Sequence, residues 1–403
     1  MLQNKTMPAD ILAVQKFREY IRIKTVHPNP DYKSAIAFLD NYGNELGLKN
    51  QHIKIYDENH TVVILTWKGK NSDLPSVLLN SHTDVVPVYQ EHWKHDAFAA
   101  IKDDNGNIYG RGTQDMKCVG IQYLEAIREL KKQGVQLKRD VHLSFVPDEE
   151  IGGGKGMCLL LKTEEFKSLN VGVALDEGLA CDDDCYRAYC GERSPWWLRV
   201  VCKGNPGHGS RFIENTAAEK LNFMITKFLQ FRSEQKSQLD ENHSCMQLGD
   251  VTTVNLTQLQ GGIAMNIVPA ELSATFDVRV PPSVDLQKFE TNLQTWCKEA
   301  GSDVTIEYIQ KNTDQSVTSK ENNPWWEAFS LAVSKSGVKL KSEIFSGATD
   351  SRFLRKEGYQ AIGFSPMRNT PILLHDHNEF LNEKIFLEGI QVYCDVITAL
   401  GNV

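Results

Sequence analysis

Ser76-Val-Leu-Leu-Asn-Ser-His82-Thr-Asp84 is a short apolar run that ends in a His-x-Asp pair, the pattern of a buried strand with polar residues at its tip. Three further segments repeat the arrangement. Gly110-Arg-Gly-Thr-Gln-Asp115-Met-Lys117 sets a carboxylate in a glycine-rich turn ahead of a helix. Val141-His-Leu-Ser-Phe-Val-Pro-Asp-Glu149-Glu150 ends a strand in adjacent glutamates, and Val171-Gly-Val-Ala-Leu-Asp176-Glu177 ends another in an acidic pair. From His82 to Asp115, Asp115 to Glu149 and Glu150 to Glu177 the spacings are 33, 34 and 27 residues, each about one βαβ crossover. Every crossover returns the chain to the same edge, the carboxyl end of the strands, where open α/β sheets place their sites.

Outward from these strands the alternation continues. Ile11, Val14, Phe17 and Ile21 recur at helical spacing, and a second helix is predicted over 34–46. Residues 61–67 read as a strand, and Val119, Tyr123, Ile127 and Leu130 mark a helix between strands. Alternating strands and helices predict an α/β domain with a mainly parallel sheet covered on both faces. From Arg193 the rhythm changes to strand 196–203, helix 217–231 behind the capping box Thr216-Ala-Ala-Glu219, strands 252–259 and 271–280, helix 286–298 and strand 304–308. That β-α-β-β-α-β order predicts an inserted ferredoxin-like α+β domain. A helix from Asn323-Pro324 to Gly337, a strand at 361–364 and a final helix toward Leu400 resume the first pattern. The expected division is a discontinuous domain of residues 1–192 and 312–403 around an insert of 193–311, with hinges near Arg193 and Lys311.

At 403 residues, with 41% hydrophobic and 24% charged side chains, the chain carries enough apolar material for two cores and no signature of disorder. The 52 acidic against 44 basic side chains leave a formal charge of −8, which opposes nucleic-acid binding. No basic and apolar leader is visible at residues 1–13, and no run approaches a membrane span. Nine cysteines, odd in number and scattered, fit a reduced, cytoplasmic protein. Cys181, Cys185 and Cys190 cluster without the paired spacing of structural zinc sites and read as plain thiols.

Alone, Asp-Glu-Glu after a strand is a solvated turn and His-x-Asp a hydrogen-bonded pair. Gathered at one sheet edge, four or five bare carboxylates would repel one another by several kcal/mol, so a cation should neutralise them. Imidazole and carboxylate donors without thiolate suit a pair of catalytic zinc ions, or cobalt or manganese in their place; calcium would want oxygen alone. A second histidine is available in His375-Asp-His377-Asn-Glu379.

Together, His82-Thr-Asp84-Val-Val-Pro87, Gly110 to Lys117, Asp148-Glu149-Glu150, Leu175-Asp176-Glu177-Gly178 and His375 to Glu379 resemble the co-catalytic zinc amidohydrolases of the aminoacylase and carboxypeptidase clan, the M20 family, nearly end to end. The resemblance implies two zinc ions per subunit, with Asp115 bridging, His82 and Glu177 completing one and Glu150 and His375 the other. It implies Glu149 as general base and Asp84 as the group that orients the His82 imidazole. It also implies a homodimer whose insert carries His208, in Gly204-Asn-Pro-Gly-His208, to the partner's site to stabilise an oxyanion. Asn266 and Arg352 match segments that hold substrate, Arg352 offering a fork for a free carboxylate, with a structural ion pair as its alternative.

The expected activity is hydrolysis of small N-acyl-L-amino acids to a carboxylate and an amino acid. A dipeptidase or carboxypeptidase of the same fold, or a noncatalytic binding homologue, remains open. Other motifs fail: His-Glu-x-x-His is absent, Gly363-Phe-Ser365-Pro-Met367 lacks the closing glycine of a nucleophile elbow, and Gly152-Gly-Gly-Lys155-Gly156 lacks phosphate-loop spacing.

Overall fold

The computed structural model describes residues 9–243 and 246–403. Residues 1–8, over which no leader pattern is visible, and 244–245 lie outside them, as do the side chains of 9–11, including Ile11 of the opening pattern. One compact unit runs to Cys190 and resumes over Thr318–Ser342 and Thr349–Val403; the other comprises Gly191–Val317 and Glu343–Ala348.

The first unit opens with helices α1 (Ala9–Arg22) and α2 (Tyr32–Glu45), whose Asp31 cap accepts from the Ser34 amide. Strands β1 (Lys49–Lys54), β2 (Thr61–Trp67) and β3 (Ser76–His82) precede α3 (Lys117–Lys132), and β4 (Val141–Val146), β5 (Val171–Asp176) and β6 (Cys185–Glu192) follow. The second unit contributes β7 (Ser194–Lys203), α4 (Ala217–Glu241), β8 (Thr253–Gly261), β9 (Glu271–Val280), α5 (Leu286–Ala300) and β10 (Val304–Lys311). The chain ends through α6 (Pro324–Ser334), β11 (Lys339–Phe345), α7 (Ser351–Lys356), β12 (Gln360–Phe364) and α8 (Glu383–Leu400).

The large sheet runs β1-β2-β4-β3-β5-β12-β6-β11. Its centre, β4-β3-β5-β12, is parallel, while β1, β2 and β6 join antiparallel. Alternate residues of the central strands face two cores: Val77 and Leu79 join Phe17, Tyr123 and Tyr393 on one side, and Leu78 joins Ile64, Phe166 and Leu354 on the other. The three central strands β3, β4 and β5 are therefore nearly continuous apolar runs, as a sheet buried on both faces demands. Strands β1 and β11 escape the sequence reading. Lys49-Asn-Gln-His-Ile-Lys buries only Ile53, so its pairing rests on main-chain bonds to β2 rather than on an apolar face.

In the second unit the four-stranded antiparallel sheet runs β8-β9-β7-β10, the ferredoxin-like order. Trp196, Leu198, Val200 and Cys202 alternate into its core against Leu221, Met224 and Phe228 of α4 and Phe289 and Leu293 of α5. The capping box forms, Thr216 accepting from the Glu219 amide and Glu219 from that of Thr216. Helix α4 runs ten residues past the predicted end at Phe231 because 232–241 hold good helix formers without Gly or Pro, although their apolar stripe has stopped. Arg193 ties the return segment to this unit, donating to the carbonyls of Ser346 at 2.8 Å and Val251 at 3.2 Å.

Candidate metal centre and active site

His82 closes β3, and the turns after β4 and β5 present Glu149, Glu150 and Glu177 at the same edge of the sheet. The glycine-rich turn joins them through a buried anchor. Glu379, fully buried, accepts from the Gln114 amide at 2.6 Å, the Gly112 amide at 3.2 Å and the Arg111 guanidinium at 2.7 Å, which points the turn and Asp115 inward. Gly112 adopts φ +91°, and a Cβ there would press on Val85 and Lys117, so both backbone and space require glycine.

Asp115 stands at the centre. Its Oδ1 lies 2.9 Å from His82 Nε2, and its Oδ2 lies 3.3 Å from His375 Nε2. Glu177 Oε2 is 3.6 Å from the same His82 nitrogen, and Glu150 Oε2 is 2.9 Å from that of His375. Two donor triads result, His82–Asp115–Glu177 and Asp115–Glu150–His375, the donor atoms of each within 4.8 Å of one another. His375 reaches inward from a left-handed backbone, φ 59°. Burial, and next the charge of Asp115, raises the carboxyls of Glu177 and Glu150, the latter to about 7. Hydrogen bonds donated to the carboxylates of Asp115 and Glu150 push His375 up to about 10. Among the described residues the buried Glu150 Oε1 has no hydrogen-bond partner, which leaves a desolvated acceptor on a residue of the cluster. Imidazole and carboxylate oxygens, crowded and short of donors, fit divalent cations.

The geometry around Asp84 divides its contacts between main chain and carboxylate. Its main-chain carbonyl, at 2.9 Å, receives His82 Nδ1, while its carboxylate oxygen is 3.7 Å away. That carboxylate instead accepts the amides of Glu149 and Glu150, both at 3.1 Å, and meets His27 Nε2 at 2.8 Å. The residue thus fixes the imidazole with one group and the two-glutamate turn with another. Asp148, in the left-handed region at φ 65°, completes the turn. Its carboxylate takes bonds from the Tyr32 hydroxyl at 2.6 Å and from His60 at 2.9 Å. Glu149 is buried, and burial, with the negative charges of Asp350 and Glu150, raises its carboxyl well above the usual range.

Arg352 donates to the Gly152 carbonyl at 3.0 Å and lies over the Phe353 ring. His208 and Asn266 meet within the second unit: Gly207 and His208 pair with Val268 and Ile267, and the Gly209 amide donates to the Asn266 carbonyl at 2.8 Å. His208 is exposed there, its Nδ1 2.8 Å from Ser210 Oγ. Sequence reasoning assigned no role to His27, Tyr32, His60 or Glu379. Only Glu379 had a signal, its place in the motif that contains His375.

A sequence model of the peptidase family M20/M25/M40 matches residues 78–399. Mouse aminoacylase-1 is 53% identical over 97% of this chain and 96% of its own length. In fold, the chain is similar to an M20 family metallo-carboxypeptidase from Sulfolobus solfataricus, with TM-score 0.72, 18% identity and coverage of 98% and 100%. A Bacillus subtilis protein described as a dinuclear metal binding peptidase of the M20 family gives TM-score 0.69 at 16% identity, covering 96% of this chain and 97% of that one. Among the described residues no helix is long and apolar enough to cross a membrane. Matched over most of its length by that family model, and by so similar a relative, the chain belongs to peptidase family M20/M25/M40.

Proposed function

We propose that the protein is an aminoacylase, a metal-dependent amidohydrolase that cleaves N-acyl-L-amino acids to a carboxylate and a free L-amino acid. The observation that carries this reading is the pair of donor triads sharing Asp115, in a chain half identical to mouse aminoacylase-1. His82, Asp115 and Glu177 would hold one divalent ion and Asp115, Glu150 and His375 the other, zinc suiting the donors best and cobalt or manganese substituting. When bound, such ions supply Lewis acidity to the acyl group and its attacking water.

The chain's own residues supply the rest. Glu149, buried beside Glu150, is the general base; it takes a proton from the water and returns one to the departing nitrogen. Asp84 positions it through its amide and holds His82 in one tautomer through a carbonyl. Arg352 offers the substrate's free carboxylate a planar fork. His208, with Asn266 beside it, comes from the second copy of a homodimer and stabilises the oxyanion. The enzyme works in the cytoplasm.

The test is amine release from N-acetyl-L-methionine by zinc-loaded protein, beside Glu149→Gln. Release by the wild type, a loss of several orders of magnitude in the variant and unchanged zinc support the reading. Turnover of dipeptides in preference to acylated amino acids would move the protein to the dipeptidases of its family. Bound substrate without release would make it a binding homologue. Absence of bound metal would overturn the assignment from Asp115 outward.

A further inference from the structure

Of the nine cysteines, the eight described are free thiols. Cys181 and Cys185 are the cysteine pair in hydrogen-bonding contact among them, Sγ to Sγ 3.1 Å. Both are buried, 1% and 3% exposed, although Asp182, Asp183 and Asp184 between them are exposed. The donors Cys181, Asp183 and Cys185 also lie within metal-ligand reach of one another. The donor count decides between the two chemistries, because a structural zinc site closes with four ligands and the described residues gather three here. Two thiolates on one tetrahedral zinc, each about 2.3 Å from the ion, sit about 3.8 Å apart, so an ion would have to spread this pair. A disulfide, at about 2.05 Å, draws it together by about 1 Å and needs no further donor.

The neighbours hold the sulfurs in this approach. The Cys181 amide donates to the Met367 carbonyl at 2.8 Å, the Thr370 amide to the Cys181 carbonyl at 2.9 Å, and the Asn369 amide to the Asp183 carbonyl at 3.0 Å. Cys185 is the first residue of β6. Lys341 Nζ lies 3.4 Å from Asp183 Oδ2, and Arg187 also acts on Cys181, so positive charge is at hand for a thiolate. Burial raises the Cys181 thiol, so the resting form is the thiol, reached by small oxidants when the exposed Asp182–Asp184 tip opens.

We propose that Cys181 and Cys185 are a dithiol oxidation site, closed to an intraloop disulfide by hydroperoxides. One thiolate attacks the peroxide oxygen; the O–O bond breaks and the alcohol leaves, giving a sulfenic acid. The second thiolate attacks that sulfur; the S–S bond forms, the S–O bond breaks and water leaves. Two thiols and one hydroperoxide thus give one disulfide, one alcohol and one water, with two electrons passing to the peroxide. Cys181 lies four residues beyond Glu177, and its main chain pairs with the segment that leads to His375, so the bond would stiffen the loop after Glu177 where it meets that segment.

The test treats full-length protein with hydrogen peroxide, alkylates free thiols and maps peptides without reduction. Expected is a loss of two hydrogens confined to a Cys181–Cys185 link, reversed by dithiothreitol and absent in Cys181→Ser and Cys185→Ser. Recovery of both residues as alkylated thiols, or pairing of Cys185 with Cys190 instead, overturns the proposal. The wild-type map decides alone if either variant fails to fold. Because it reads sulfur and not turnover, its outcome is independent of the hydrolytic assignment.

Discussion

The Tyr32 hydroxyl donates to the Asp148 carboxylate at 2.6 Å across 116 residues of sequence, and through it α2 grips the turn that carries Glu149 and Glu150. The same hydroxyl accepts the Asp148 amide at 3.0 Å. Tyr32→Phe removes both bonds while keeping the ring. A buried bond to a charged group contributes about 1.5–3 kcal/mol, and a loss of that size is expected in urea unfolding. Because Glu149 sits on the loosened turn, kcat should fall several-fold with KM nearly unchanged. Wild-type turnover in the variant would show that Asp84, holding the Glu149 and Glu150 amides, suffices to place the base.

Glu379 predicts a larger effect. It is fully buried against Arg111, itself 2% exposed, and accepts the main-chain amides that aim Asp115. Glu379→Gln leaves a buried guanidinium without its counter-charge, which costs about 3–5 kcal/mol. The double variant Arg111→Met with Glu379→Gln should regain part of this stability, since no lone charge remains. Metal content should stay low in both, because the Asp115 turn has lost its anchor. Calorimetry and elemental analysis of the three proteins check the two halves separately.

Acid sensitivity should pass through His142. It lies in the central strand β4, its Nδ1 2.9 Å from Thr66 Oγ1, and burial lowers its imidazole to about 4 from the ordinary 6.5. Between those values the unfolded chain binds a proton that the folded chain refuses. Stability therefore falls as pH drops through 6.5 and stops falling on this account near 4; at pH 5 the loss is about 2 kcal/mol. His142→Gln, which keeps a partner for Thr66, should flatten that part of the curve. Equal slopes of unfolding free energy against pH in the two proteins would refute the assignment.

These residues also mark where sequence reading stops. His82, the two glutamates and Glu177 are legible because crossovers return each strand end to one sheet edge, whereas Asp115 arrives on the glycine-rich turn that Glu379 holds, and β9 is legible because it alternates into a core. Strand β1 is not, since polar Lys49-Asn-Gln-His pairs by main chain alone. Helix α4 outruns its apolar stripe. The partners of Asp148 and Asp84, namely Tyr32, His60 and His27, come from segments 57 to 116 residues away, and no local pattern announces such a meeting. The His82-x-Asp84 spacing is visible, but which of the two Asp84 oxygens types receives the imidazole is settled only by the backbone.

A final prediction separates a histidine acting within its own chain from one lent to a neighbour. His208 is exposed on a short strand pair of the second unit, where Ser210 is its hydrogen-bond partner. If it serves the partner's site in a homodimer, Glu149→Gln and His208→Ala each silence turnover alone. In a mixed dimer one site then joins an intact Glu149 to an intact His208, while the other holds both lesions. Random exchange at equal concentrations makes half the dimers mixed, so about a quarter of wild-type activity should return. A histidine acting in its own chain leaves one lesion in every site and restores nothing. Activity measured after unfolding and refolding the two variants together, against each refolded alone, distinguishes these outcomes, and sedimentation of the same samples establishes that dimers have formed.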